Sequence, residues 1–149
     1  GCYCAANNML RLCIDRLSES YDYVAIDNEA GLEHLSRRTT KSADILLVVS
    51  DPTSRGLAAA QRVVELVKEL KTKVGRAYLV LNRVDGEMSP ALAEAAGKVG
   101  VELIGIVPAD PTVAEFDLAG KPTVELPADS PAYQAVVRIA GKLDLPKKS

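Results

Sequence analysis

Four short aliphatic runs constrain this chain more than any other feature: "YDYVAID" (21–27), "ADILLVVSD" (43–51), "RAYLVLNRVD" (76–85) and "VELIGIVPAD" (101–110). Each is rich in β-branched or aliphatic residues and closes on a charged or turn-forming residue, the pattern of strands buried on both faces. Such strands are parallel, and a parallel pair needs a crossover, normally a helix. The intervening segments have that character. "LAAAQRVVELVKELKT" (57–72) carries apolar residues at helical spacing, and "SPALAEAAGKVG" (89–100) opens with Ser89 as N-cap and Pro90 at the first helical position. "TVELPADSPAYQAVVRIAGKL" (123–143) reads as a short extended piece and a closing helix begun by Ser130 and Pro131. Ahead of the first run, Met9, Leu10, Cys13, Ile14 and Leu17 recur at helical spacing, which predicts a helix with Cys13 on its inward stripe. The expected fold is a three-layer α/β domain over residues 1–149, a mostly parallel sheet with helices on both faces.

With 149 residues, 48% of them hydrophobic, the chain is long enough to bury one sizeable core. Eighteen basic residues against twenty acidic ones leave a formal charge of −2, so no basic field exists to recruit nucleic acid. The longest purely aliphatic run is "ILLVV", far short of the roughly 20 residues that span a bilayer. With no signal peptide in view, the expectation is a cytoplasmic protein without membrane or nucleic-acid partners. Three cysteines crowded near one end do not form a disulfide framework and fit a reducing compartment.

In sheets of this kind ligands gather beyond the carboxyl ends of the strands. The residues placed there are Asp27, Asn28, Glu29 and Gly31, then Ser50 and Asp51, then Asn82, Arg83 and Asp85, then Pro108, Ala109 and Asp110. Asp27 ends a strongly apolar run and precedes "AG", a context in which a carboxylate can hold hydrated magnesium while a glycine amide approaches a phosphate. A glycine-rich phosphate loop should accompany it, yet G-x-x-x-x-G-K-[ST] occurs nowhere in the sequence, and neither "LAGKPTV" nor "RVDGEM" substitutes for it. Nothing else visible compensates the charge of a triphosphate.

Cys2 and Cys4, separated by one residue, offer two thiolates, half of a tetrahedral site for zinc, nickel or an iron-sulfur cluster. The remaining ligands would come from a second copy across a two-fold axis or, less simply, from His34, which lies in a polar loop-like stretch. The competing reading makes the pair small residues at a helix entry. A thioredoxin-like redox pair is disfavoured, since that arrangement has two intervening residues.

"YDYVAIDNEAGLEHLSRRTT" resembles the carbon monoxide dehydrogenase maturation ATPases, the CooC-type nickel-insertion accessory proteins, within the larger group holding MinD and the nitrogenase iron protein. "IDNEAG" is the specific part, and the likeness continues through "ADILLVVSDPTSRGLAAAQRV", "LVLNRVDG" and "IGIVPADPTVAEFDLAGKPTVELPADSPA". The resemblance implies a P-loop ATPase domain of the MinD-like group using ATP/ADP and Mg2+. Asp27 would be the catalytic switch aspartate and Gly31 a γ-phosphate sensor. Asn82 and Arg83 would recognise the base, with Pro108, Ala109 and Asp110 in the loop closing on adenine. Cys2 and Cys4 would bind Zn2+ or Ni2+ across a homodimer, and carbon monoxide dehydrogenase would be the recipient of nickel.

The family's phosphate-binding loop lies upstream of the part matched, so this chain resembles the carboxyl-terminal portion of such an ATPase. The family's first strand would lie between "YVAID" and "ILLVV", and without it an edge is left unpaired. The expected function is therefore a fragment of a nickel-insertion ATPase, inactive alone. Alternatives are a non-enzymatic metal-binding dimerisation module and a MinD-like positioning ATPase. The last helix, "YQAVVRIAGKL", carries only two cations, which argues against membrane attachment.

Overall fold

Three of the four aliphatic runs form a sheet, and the reason lies in what covers them. The computed structural model describes residues 21–28, 42–70 and 73–145, together with Met9, Leu12, Cys13, Arg16, Leu17, Glu19 and Ser20. Strand β1 (Ser42–Ser50) leads through helix α1 (Ser54–Glu69) to β2 (Lys73–Val84), and helix α2 (Pro90–Gly97) leads to β3 (Glu102–Pro108). Helix α3 (Pro111–Leu118), a 3-10 turn (Thr123–Glu125) and helix α4 (Pro131–Lys142) follow. The strand order is β1-β2-β3 and both pairings are parallel.

Side chains alternate across β2 and build two cores. Leu79 and Leu81, both 0% exposed, pack with Val48, with Leu57, Ala60 and Val64 of α1 and with Ala96 of α2. Val80 points the other way and joins Ile104, Val107 and Ala132, Ala135 and Ile139 of α4. These are the three layers the alternation of runs predicts. Full burial of a leucine contributes about 1.5–3 kcal/mol, so β2 anchors both layers. The helix starts are capped as their sequences specify: Thr53 Oγ1 accepts from Gly56 N at 3.0 Å, Ser89 Oγ from Leu92 N at 3.2 Å and Ser130 Oγ from Tyr133 N at 3.2 Å.

The structure corrects three expectations. Residues 21–27 form no strand and belong to no ladder, and Tyr21, Tyr23, Val24 and Ile26 are exposed. A strand is stable only with a hydrogen-bonding neighbour, and no strand lies on the outer edge of β1 among the described residues. Cys13 is helical but exposed rather than inward, as are Met9, Leu12 and Leu17, because among the described residues no apolar surface meets that stripe. Finally, the piece expected to be extended ahead of the closing helix begins as the 3-10 turn Thr123–Glu125; "PTVAEFDL", on which the sequence reading is silent, forms α3 and buries no residue.

β3 contains a β-bulge, since Leu79 pairs with Leu103 while the next residue, Val80, pairs with Gly105. The bulge turns Gly105 toward α4, where an added Cβ would collide with the Ile139 side chain. Gly105→Ala is therefore expected to cost about 1–3 kcal/mol through overpacking, read as a lowered urea midpoint. Ile139→Val in the same chain should recover part of that loss, and an unchanged midpoint in the single variant would contradict this packing.

Candidate functional site

The carboxyl end of β2 departs from regular geometry. Leu81 pairs with Ile106 and Val84 with Pro108, so β2 holds one residue more than β3 between those pairs. The extra residue is accommodated at Arg83, whose φ of 57° is the only positive value at a non-glycine position among the described residues. Placing a residue with a Cβ there costs on the order of 1 kcal/mol. In return the bulge re-aims its neighbours. Val84 is brought back into the core beneath α1 and α2, while Asn82 faces the α4 side, half-buried. Asn82 Oδ1 accepts from Arg83 N at 3.0 Å, which fixes the amide plane and leaves its Nδ2 group a donor. Asn82 is the one polar residue in an otherwise apolar groove of about 230 Å³ bounded by Leu47, Val49, Val80, Val107, Val136 and Ile139.

β3 ends beside it. Ala109 N donates to Val84 O at 3.0 Å, lacing the loop after β3 to the bulge of β2. Pro108 is half-buried and Ala109 exposed. The next residue, Asp110, is saturated with donors. Oδ1 accepts from Thr112 N at 2.9 Å, capping α3, while Oδ2 accepts from Ser130 Oγ at 2.6 Å and Ala132 N at 3.2 Å, capping α4 across twenty residues of sequence. Chiefly the Ser130 hydroxyl, with the Ala132 and Thr112 amides, holds the Asp110 carboxyl below its ordinary range. Any contribution of Asp110 to ligand recognition therefore passes through the loop backbone. Ser130, which is buried, is the functional candidate that sequence reading takes only for a helix cap. The available signal is the pair of motifs "DPT" and "SPA", each beginning a helix with a capping residue and proline.

The fold thus brings Asn82, Arg83, Pro108, Ala109 and Asp110 to one edge of the sheet, as the sequence predicts. Ser50 also ends there, buried, its hydroxyl donating to Asp51 O at 2.9 Å. Asp27 lies exposed in segment 21–28, which is in no helix or strand. Gly31, His34, Cys2 and Cys4 lie outside the described residues. Among the described residues no group of three or more His, Cys, Asp or Glu side chains is arranged to hold a metal. The groove offers an oriented amide and apolar walls, which suit a planar ring, with the Pro108–Asp110 loop outside its lining. It contains no cradle of amides and lysine for a polyphosphate.

No protein-family profile matches the chain. It is 44% identical over 143 residues to an uncharacterized ATP-binding protein of Methanocaldococcus jannaschii, a match covering 96% of this chain and 56% of that protein. It is 31% identical to the carbon monoxide dehydrogenase accessory protein CooC of Rhodospirillum rubrum over 80% of this chain and 45% of CooC. The septum site-determining protein MinD of Helicobacter pylori is 30% identical over 85% of this chain and 52% of MinD. Among solved structures, Pyrococcus horikoshii MinD complexed with Mg-ADP superposes with a TM-score of 0.70 at 28% identity, over 93% of this chain and 56% of that one. The chain has the fold of the MinD/ParA-type superfamily of P-loop NTPases. It spans about half the length of the curated relatives it matches. Among the described residues no helix is long and apolar enough to cross a membrane.

The lowered Asp110 pKa fixes the sign of one pH effect. A carboxyl more acidic when folded than when unfolded contributes stability that is complete above its unfolded value, near 4, and is lost as the pH falls through the folded value. Urea midpoints measured at about pH 7 and about pH 3 should show this loss in the native chain and a smaller loss in Ser130→Ala. Equal acid sensitivity of the two would show that the Ser130 hydroxyl does not set the Asp110 acidity.

Proposed function

We propose that this chain is the base-recognising, carboxyl-terminal portion of a MinD/ParA-type ATPase unit. One observation carries the reading: the strained Asn82–Arg83 bulge, hydrogen-bonded through Val84 to Ala109, sits at the strand ends of a fold whose solved relatives include a Mg-ADP complex. Asn82 and the backbone of Pro108, Ala109 and Asp110 would hold the adenine, with the Arg83 guanidinium free to lie against the ring or ribose. Asp27 would orient magnesium and the attacking water, and the Gly31 amide would meet the γ-phosphate. Magnesium, when bound, would neutralise phosphate charge during transfer to water. The remaining phosphate compensation must come from a glycine-rich loop, which this sequence does not contain.

Within the superfamily, the MinD-like reading has the broader support. MinD proteins of Helicobacter pylori, Synechocystis and Bacillus subtilis match 85–89% of the chain, and the solved structures it superposes on include MinD and ParA proteins. Such an ATPase would work as a nucleotide-dependent homodimer. Two arms test the assignment. This chain alone should show no ATP turnover and at most weak ATP binding in calorimetry; submicromolar affinity would overturn it. In a protein joining this chain to a phosphate-loop segment, Asp27→Asn should lower hydrolysis by about 100-fold or more while the fold survives, and a rate within about twofold of the parent would remove Asp27 from the mechanism.

The nickel-insertion reading rests on Cys2-x-Cys4 and the likeness to CooC. It makes a separate prediction. Two copies pooling four thiolates should hold about one zinc or nickel ion per dimer, and chelation should weaken the dimer. Metal analysis with light scattering on Cys2→Ser/Cys4→Ser checks this: metal content and oligomeric state unchanged from the parent would leave the cysteines as helix-entry residues.

A further inference from the structure

Asp110 and Ser130 make a bond that neither helix needs for its own capping. α3 is capped by Asp110 Oδ1 through Thr112 N at 2.9 Å, and α4 by Ser130 Oγ through Tyr133 N at 3.2 Å. Each cap is complete in the usual one-residue sense. The Ser130 Oγ–H to Asp110 Oδ2 bond of 2.6 Å, reinforced by Ala132 N at 3.2 Å, instead ties the two helix starts to each other. The residue held between that tie and the sheet is Ala109, whose N–H is fixed on Val84 O at 3.0 Å. The exposed Ala109 peptide is thus anchored on one side to the Asn82–Arg83 bulge and on the other to a charge-assisted clamp, which is stronger than a neutral hydrogen bond. A second anchor narrows the orientations open to the Pro108–Ala109 peptides, at the entropic cost that ordering a backbone carries.

Orientation of backbone carbonyls discriminates between purines. Adenine presents an amino donor at position 6 where guanine presents an acceptor oxygen. A carbonyl aimed at that position accepts from adenine and repels guanine, and the discrimination disappears if the peptide is free to turn. We propose that Asp110 and Ser130 form a positioning pair that fixes the Pro108–Ala109 backbone for adenine against guanine. The proposal rests on the base-site reading above. It assigns the specificity to a hydroxyl and a carboxylate that do not themselves touch the base.

The test uses this chain and titration with AMP or GMP, followed by amide proton and nitrogen shifts of Arg83, Val84 and Ala109. The native chain should respond to AMP more strongly than to GMP. Ser130→Ala should weaken AMP binding by about tenfold, equivalent to about 1.4 kcal/mol, and bring the AMP to GMP ratio close to one. Ser130→Gly, which removes the hydroxyl but remains a competent N-cap, covers the case in which the alanine variant fails to fold. Ser130→Thr, which restores the hydroxyl, should recover the preference. A merely structural role would lower the urea midpoint and leave the ratio alone. Retention of the native ratio in a folded Ser130→Ala or Ser130→Gly chain would overturn the positioning role. Absence of any AMP response at these amides in the native chain would overturn the base site and the pair with it, an outcome distinct from the first.

Discussion

The structure depends on β2 being covered on both faces. Leu79 and Leu81 are fully withdrawn from water toward α1 and α2, and Val80 between them is withdrawn toward α4. β1 and β3 are hydrogen-bonded to β2 and not to each other, so both flanking strands take their register from this one element. Its last turn of chain before the loop is also where regular pairing fails. A strand so firmly held can store the strain of a left-handed arginine at its end, because releasing Arg83 would shift Val84 out of the core. Packing below the site and geometry at the site are thus one problem.

What could be read from the sequence follows the range of the interactions involved. Burial on both faces is written into the composition of "ILLVV", "AYLVL" and "ELIGIV", and caps into Ser89-Pro90 and Ser130-Pro131, because those depend on neighbours a few residues away. The cluster of Asn82, Arg83, Pro108, Ala109 and Asp110 was likewise legible, since parallel strands bring all their carboxyl ends to one edge. The bulges were not, as each depends on a count of residues against a neighbouring strand. The Asp110–Ser130 bond spans twenty residues and has no local signature beyond two helix starts. Cys13 failed for the converse reason: helical spacing shows which face is apolar but not whether anything packs on it.

Among the described residues no strand lies beside the outer edge of β1. Leu47 and Val49 are 38% and 60% exposed, on a strand whose opposite face carries the buried Val48. Tyr23, Val24 and Ile26, in segment 21–28, are exposed too. Hydrophobic residues of a parallel strand stand exposed where, among the described residues, no further element covers them. The relatives extend well past the matched region, to nearly twice its length. On the proposal that this chain is one portion of a MinD-like ATPase, an additional strand would pair with β1 on the side where no described strand does.

That division has a chemical counterpart. Recognition of a base needs shape and a few fixed polar groups, and the ends of β2 and β3 supply the oriented Asn82 amide and a loop tied to β2 through Ala109 N. Compensation of polyphosphate charge needs several converging amides and a lysine, for which this sequence has no loop. Asp110 marks the boundary between the two. Its negative charge stands near the strand ends, where it would repel a phosphate, yet three donors from α3 and α4 consume its acceptor capacity. Charge spent on two helix dipoles does little work at longer range. In the proposed assignment the carboxylate would stand beside the base site as a fastener, and specificity would be carried by the peptide it holds.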